Sequence, residues 1–338
     1  MPSRATVNPP FPVGRHFGDR LTPIESCTAV GGGFSGAMVF KVVSPGGTFA
    51  LRGWPTGTNA ARLRGLHRLL RHVAERGLPV AVPIADERGE TIVFHAGGYW
   101  QVEPWLPGAA DFRRRPDETR LAAAMKVLAD FHRASSSFAA TPDEAEWFAG
   151  RPAGPPPAVT DRLAILHRLQ TGEASRMRPA IEADTGPFAE LARRSLDCFN
   201  RLSATIESEL RLASTIPVPL VPCLRDIWHD HLLLTGDVVT GLIDPAACRT
   251  DTVATDLSRL LGSLFGDDSA GWDAAMQVYA SHRPLSVAES VLVPILDRSG
   301  VLLSAMTWLR RRYIEEPPCE SAEIVGRWGT IVARAERM

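Results

Sequence analysis

The sequence predicts an α+β chain of two lobes, a β-rich N-lobe over residues 1–106 and a predominantly helical C-lobe over 107–338. Three observations carry this. Up to residue 106 the apolar residues fall mostly in short runs bounded by Gly and Pro, the pattern of strands and turns. From Asp256 onward they recur at three- and four-residue spacing, as on helices with one buried face. A chain of 338 residues is also long enough for two cores.

AMVFKVV and TFALRGW are strands, and the glycine turn SPGG between them makes a hairpin. A helix follows over about 59–76, with Leu63, Leu66, Leu69, Leu70 and Val73 on one face, and Gly77 and Pro79 stop it. VAVPIA, TIVFHA and YWQVEPWL read as three further strands, giving a five-stranded sheet with one packed helix over residues 20–106. A short hinge near 103–110 leads into the amphipathic helix LAAAMKVLADFHRAS. SSSFAATPDEAEWFAGRPAGPPPA is expected to be a loop, and helices follow at about 160–171 and 187–213. VPCLRDIW, LLL and VVTGLID then supply short strands around a loop and a turn. The remainder is helical: DLSRLLGSLFG, GWDAAMQVYASH, VAESVLVPILDRSGVLLSAMTWLRRRYIEE and a last helix near 320–336.

Composition narrows the partners. A formal net charge of −1 gives no polyelectrolyte signature, so no nucleic-acid partner is expected. The five cysteines lack any Cys-x-x-Cys pair, which argues against a disulfide framework or structural zinc and suits a reducing cytosol. MPSRATVNPPFPVGRHFG lacks the apolar core of a signal peptide. SVLVPILDRSGVLLSAMTWL is interrupted by Asp297 and Arg298, so no membrane span is expected there. The expectation is a soluble, cytoplasmic protein.

Several residues can carry chemistry. GGGFSG holds Gly31-x-Gly33-x-x-Gly36 and leads into a strand, not the helix a dinucleotide site needs. Glycines in a strand–turn–strand let backbone approach phosphate, although they serve a plain turn equally well. Arg52 follows on the next strand, where alternation puts Phe49 and Leu51 on one face and Ala50 and Arg52 on the other. A guanidinium there either forks onto phosphate or sits as a solvated edge-strand charge. In YWQVEPWLPG the Glu103 carbonyl and the Trp105 N–H would offer an adenine edge one acceptor and one donor, with Pro104 between them. A proline closing an edge strand explains the same residues. In LRDIWHDHLLLTGDVVTGLIDPAA, Asp226 and Asp244 stand eighteen residues apart. Asp226 can orient a substrate hydroxyl or accept its proton, and Asp244 at a strand end can bridge a divalent metal to phosphate oxygens. Asp256, ahead of LSRLLGSL, reads as a helix N-cap.

With these residues in view, the chain resembles the aminoglycoside phosphotransferase and choline kinase-like family, small-molecule relatives of protein kinases, over nearly its full length. GGGFSGAMVFKV is similar to the family's nucleotide loop, FALRGWP to its third strand, VEPWLPG to its hinge, LADFHRA to the helix before the insertion, and VVTGLIDPA with ATDLSRLLGS to its metal strand and the segment after it. The resemblance implies a protein-kinase-like bilobal fold, ATP with Mg²⁺ as cofactors and a small hydroxyl-bearing substrate. It assigns Gly31, Gly33, Ser35, Gly36, Arg52, Glu103 and Trp105 to the nucleotide, Asp226 to catalysis, and His231 with Asp244 to the metal. There are departures. The family's catalytic loop usually reads His-Gly-Asp-x-His-x-x-Asn, and here it is Leu224-Arg225-Asp226-Ile227-Trp228-His229-Asp230-His231. His231 thus stands where Asn is usual, and an imidazole nitrogen favours Mn²⁺ over Mg²⁺ more than an amide oxygen does. Pro245-Ala246 replaces an aromatic and a glycine, and the first half of the helix after Arg52 has no acidic residue, which leaves Glu75 as the one carboxylate there to pair with it. Two other readings stand beside an active kinase: a nucleotide-binding pseudokinase, and a metal hydrolase with His229 and His231 facing one way on a strand.

Overall fold

A computed structural model describes residues 9, 11–30, 37–315 and 322–338. In chain order the first elements are α1 Gly14–Phe17, β1 Ser26–Val30, β2 Met38–Ser44, β3 Gly47–Gly53, α2 Ala60–Ala74, β4 Val93–His95, β5 Gly98–Pro104, α3 Glu118–Ser136 and α4 Ala145–Phe148. There follow β6 Arg151–Gly154, α5 Pro157–Arg168, α6 Ala174–Ala183, α7 Ala189–Ala213, β7 Val218–Cys223, β8 Leu232–Thr235, β9 Val238–Leu242 and β10 Arg249–Asp251. The chain closes with α8 Ala254–Phe265, α9 Ser269–His282, α10 Val287–Tyr313 and α11 Ala322–Arg337. It divides into two compact units, Met1–Ala149 with His229–Cys248, and Gly150–Trp228 with Arg249–Met338.

The first unit is built on an antiparallel sheet in the order β1-β2-β3-β5-β4. The expected hairpin forms, with Ser44 opposite Gly47 across its turn. Alternation buries Phe49 and Leu51 with Val42, Trp100, Val102 and the N-terminal residues Phe11, Val13 and Phe17. Arg52 therefore emerges on the opposite face, where α2 supplies the buried Leu63, Leu66, Leu69, Leu70 and Val73. Asn59 caps α2 by accepting the Arg62 N–H at 3.1 Å. The sheet has five strands as expected, but VAVPIA is not one of them. Pro79 and Pro83 remove ladder donors from that stretch, which keeps only single links such as Ile84 N–H to the Val102 carbonyl at 2.7 Å. The fifth strand is β1 instead, paired with β2 from Ser26 opposite Val43 to Val30 opposite Val39. The β8–β9 hairpin also belongs to this unit.

The second unit sets the three-stranded sheet β10-β7-β6 among helices. The stretch after α3, read as loop, contains α4 and β6, the latter pairing with β7. α10 is the centre of the unit. Ser286 and Glu289 cap it reciprocally, the Glu289 N–H donating to Ser286 Oγ at 3.1 Å and the Ser286 N–H to Glu289 Oε2 at 2.8 Å. By length and composition it is the one helix among the described residues apolar enough to cross a membrane. Its charges nonetheless stay inside the unit: Asp297 meets Arg334 of α11 at 2.8 Å and Arg298 meets Glu209 of α7 at 3.0 Å. Leu292, Leu296, Leu302 and Leu309 are fully buried, so α10 serves as a core helix.

Candidate active site

Arg52 is 9% exposed and lies on the central strand β3, which removes the solvated edge-strand reading. Its Nη1 donates to Asp244 Oδ1 at 3.3 Å and its Nη2 to Glu103 Oε1 at 3.4 Å. The Trp54 ring covers it, with the guanidinium carbon 5.6 Å from the ring centroid. Glu75, the expected carboxylate partner, instead sits at the C-terminal end of α2. The partner comes from β5: Arg52 lies opposite Gln101 and Ala50 opposite Glu103, so Gln101 and Glu103 share the face of Arg52.

β8 and β9 bring His231 and Asp244 together. Leu232 pairs with Leu242 at the open end of the hairpin, and the next N–H, of Ile243, donates to the His231 carbonyl at 3.1 Å. His231 Nε2 then stands 3.9 Å from Asp244 Oδ2. Asp244 adopts the left-handed conformation, φ 56° and ψ 58°, which Asp tolerates better than most residues. This turns the chain into a short 3₁₀ turn, Pro245–Ala247, whose far side is held from α2. Arg62 Nη2 donates to the Ala246 carbonyl at 2.7 Å and to the Cys248 carbonyl at 3.1 Å.

Asp226 belongs to the second unit, in the loop after β7. Arg259 of α8 donates to a single oxygen, Oδ1, from Nε at 3.1 Å and Nη2 at 2.8 Å, so Oδ2 takes no part in this pair. Asp256 does not cap α8. That place falls to Val253, and the fully buried Asp256 carboxylate accepts the Leu224 N–H at 2.8 Å and the Arg225 N–H at 2.6 Å. It thereby holds the loop just before Asp226. Arg225 sits at φ 64° and is anchored by its side chain to Asp161 at 2.6 Å and Asp251 at 2.9 Å. Burial pushes the Asp251 carboxyl up, against the pull of Arg225 and of the Thr252 and Ala158 N–H groups.

Two expectations need correction. The Trp105 N–H donates to the Thr48 carbonyl at 3.0 Å, so it points into the sheet and is spent. The same alternation directs the Glu103 backbone toward β3. The opposite edge carries the Val102 carbonyl, which accepts from Ile84, and, two residues on, the Pro104 carbonyl. His229 and His231 lie in a 3₁₀ turn and not on a strand, so a spacing of two does not align them. Among the described residues His229, Asp230 and His231 do not gather as a ligand set. Gly31, Gly33, Ser35 and Gly36 lie outside the described residues.

The sequence model of the phosphotransferase enzyme family (APH) matches residues 26–290. The chain belongs to this family. A homoserine kinase of Brucella anthropi is 26% identical to this phosphotransferase family member over 272 residues, covering 78% of the chain and 72% of that kinase. A homoserine kinase of Methylocella silvestris is 32% identical over 159 residues, 44% of the chain, which spans about half (49%) of that relative's length. A spectinomycin phosphotransferase solved in complex with ADP and spectinomycin aligns with a TM-score of 0.67 at 13% identity, covering 96% of this chain and 95% of that one. The mixed architecture is thus that of the kinase-like phosphotransferases. Reading motifs alone missed the side chains of Gln101 and Glu103, together with His67, Arg62 and Arg259. Strand alternation applied to YWQVEPW would have placed Gln101 and Glu103 together.

Proposed function

We propose that the chain is an ATP-dependent phosphotransferase that phosphorylates a hydroxyl group of a small molecule. The observation that carries this reading is the meeting of Arg52 and Asp244 at 3.3 Å with His231 Nε2 3.9 Å from the same carboxylate. A phosphate-binding cation and a pair of metal donors are what nucleotide chemistry requires side by side. The donor set suits a divalent ion, because two bonds of roughly 2.1 Å span at most about 4.2 Å. Asp244 and His231 would hold that ion, which supplies charge neutralisation at the nucleotide phosphates. Arg52 grips the phosphates with its fork, and Gly31, Gly33, Ser35 and Gly36 take the nucleotide-loop role by their motif. The Pro104 carbonyl and the Leu106 N–H read the adenine edge. Asp226, gripped by Arg259 at one oxygen, keeps the other to orient the acceptor hydroxyl and take its proton.

Homoserine is the first acceptor to test, given the homoserine kinases that align with the chain. The packing of α10 supports a soluble enzyme, and the scattered cysteines suit a reducing cytoplasm. The test is turnover of Mg·ATP and Mn·ATP over a panel of small alcohols headed by homoserine. Asp226→Asn should abolish transfer and leave nucleotide affinity within a few-fold, whereas Asp244→Asn should weaken metal–nucleotide binding as well. An Asp226→Asn variant with most of its activity intact would sink the mechanism. His231 and Pro245 favour a second reading, a nucleotide-binding pseudokinase, and tight nucleotide binding with no turnover on any acceptor would select it.

A further inference from the structure

Arg52 lacks a helix carboxylate, yet both ends of its fork are held. We infer that His67, Gln101 and Glu103 form a buried relay from α2 that positions Arg52 against Asp244, replacing the missing helix carboxylate. The inference rests on the reading of Arg52 as the phosphate clamp. The atoms of the relay can be assigned from donors and acceptors alone. The Trp54 indole only donates, so the Gln101 atom 2.7 Å from Nε1 is the oxygen. Gln101 Nε2 then donates to Glu103 Oε2 at 2.7 Å, and the other Glu103 oxygen receives Arg52 Nη2 at 3.4 Å. The same Gln101 oxygen lies 2.9 Å from His67 Nε2, which must therefore carry the proton. His67 Nδ1 is left to accept from the Thr91 hydroxyl at 2.8 Å. The imidazole is neutral in this arrangement, and burial lowers its pKa to about 4.

Every group in the series is inside the protein, with His67 2%, Gln101 3% and Glu103 8% exposed. Apolar side chains at 67 and 101 would fill this space without any desolvation cost, so polarity here needs a purpose. A fully satisfied polar chain holds its members in one geometry, and its last member is the guanidinium. Arginine is suited to that end, since one Nη reaches Glu103 while the other reaches Asp244. α2 thus acts on the Asp244 segment twice, through the relay and through Arg62 on the Ala246 carbonyl.

The experiment compares Mg·ATP and adenosine binding by calorimetry in wild type, His67→Phe, His67→Gln and Glu103→Gln, with melting temperatures as the control for folding. His67→Phe and Glu103→Gln should weaken Mg·ATP by about tenfold, the scale of losing an outer partner of a charged site. Adenosine, which has no phosphates, should bind as before, and His67→Gln, which can still donate an N–H, should recover most of the loss. Unchanged Mg·ATP affinity would overturn the relay, and so would a parallel loss of adenosine, which marks a purely structural role. If His67→Phe does not fold, Glu103→Gln carries the same comparison with α2 untouched. A wild type that binds adenosine but not Mg·ATP would remove the phosphate-clamp reading itself, and the relay with it.

Discussion

Asp256→Ala tests how the loop before Asp226 is held. The carboxylate is fully buried and accepts two backbone N–H groups, those of Leu224 at 2.8 Å and Arg225 at 2.6 Å. Removing it orphans the buried Leu224 N–H, worth roughly 1–3 kcal/mol, and breaks a second charge-assisted bond at the part-buried Arg225 N–H, worth about 1.5 kcal/mol or more. The loss to the second unit should thus be about 3–4 kcal/mol, a large share of a typical stability of roughly 5–15 kcal/mol. Function should suffer separately. Arg225 is held at φ 64°, a conformation costing roughly 1–2 kcal/mol outside glycine, and with the clamp gone it can relax and carry Asp226 with it. The assay is urea unfolding followed by tryptophan fluorescence, paired with kcat under conditions where the variant stays folded. Asp256→Asn, which keeps one acceptor but turns an NH₂ toward a backbone N–H, should fall between wild type and alanine. A destabilisation under about 1 kcal/mol for Asp256→Ala, with kcat intact, would show that the carboxylate does not hold the loop.

Three further outcomes are expected. His231→Asn should move metal preference from Mn²⁺ toward Mg²⁺ in activity and nucleotide binding, while His229→Asn leaves the preference unchanged; the same metal ratio in wild type and His231→Asn would remove the ligand role. Arg259→Ala should lower kcat by about tenfold with nucleotide affinity unchanged, since Arg259 touches only the Asp226 side of the chemistry, and Arg259→Lys, which lacks the paired donors, should rescue it only in part. His67 is held neutral in the fold, with a pKa of about 4 against an ordinary 6.5, chiefly through burial, against the Gln101 bond and aided by Arg71 and Arg64. Below pH 6.5 the unfolded chain takes up a proton that the folded one refuses, so this stability is present above pH 6.5 and drains away down to pH 4. The total is about 3 kcal/mol, and His67→Gln should flatten that part of the stability–pH curve; an identical acid slope in both proteins would refute it.

The features legible in the sequence are those set by local periodicity. The SPGG hairpin, the apolar face of α2 and the outward turn of Arg52 follow from spacings of two and of three to four residues. The failures have a common physical origin in long-range pairing. VAVPIA has the apolar residues of a strand, but prolines in and before it withhold ladder donors, and β1, with the polar Ser26 and Thr28, takes the place beside β2. The Trp105 N–H looks free for a ligand in the sequence because Thr48, its actual acceptor, is far away along the chain. Asp256 resembles a cap from its position ahead of LSRLLGSL, yet a carboxylate in the first turn of a helix is equally able to accept backbone N–H groups from another segment. Only the tertiary fold decides between these.

The arginine on β3 and the missing acid on α2 look independent in the sequence and are coupled in the structure. An arginine on β3 carries two donor edges where a lysine carries a compact point charge, so it needs two acceptors in fixed directions. A single helix carboxylate would satisfy one edge and leave the other to swing. In this chain the first half of α2 has no acid and offers His67 instead, a donor that stays uncharged when buried. The negative charge moves one layer over, to Glu103 on the neighbouring strand, where cross-strand register sets its distance from Arg52. Gln101 then connects them, because it both accepts from His67 and Trp54 and donates to Glu103. Putting a carboxylate into the first half of α2 would therefore not restore a familiar pair. It would add a third negative charge beside a guanidinium already shared by Glu103 and Asp244.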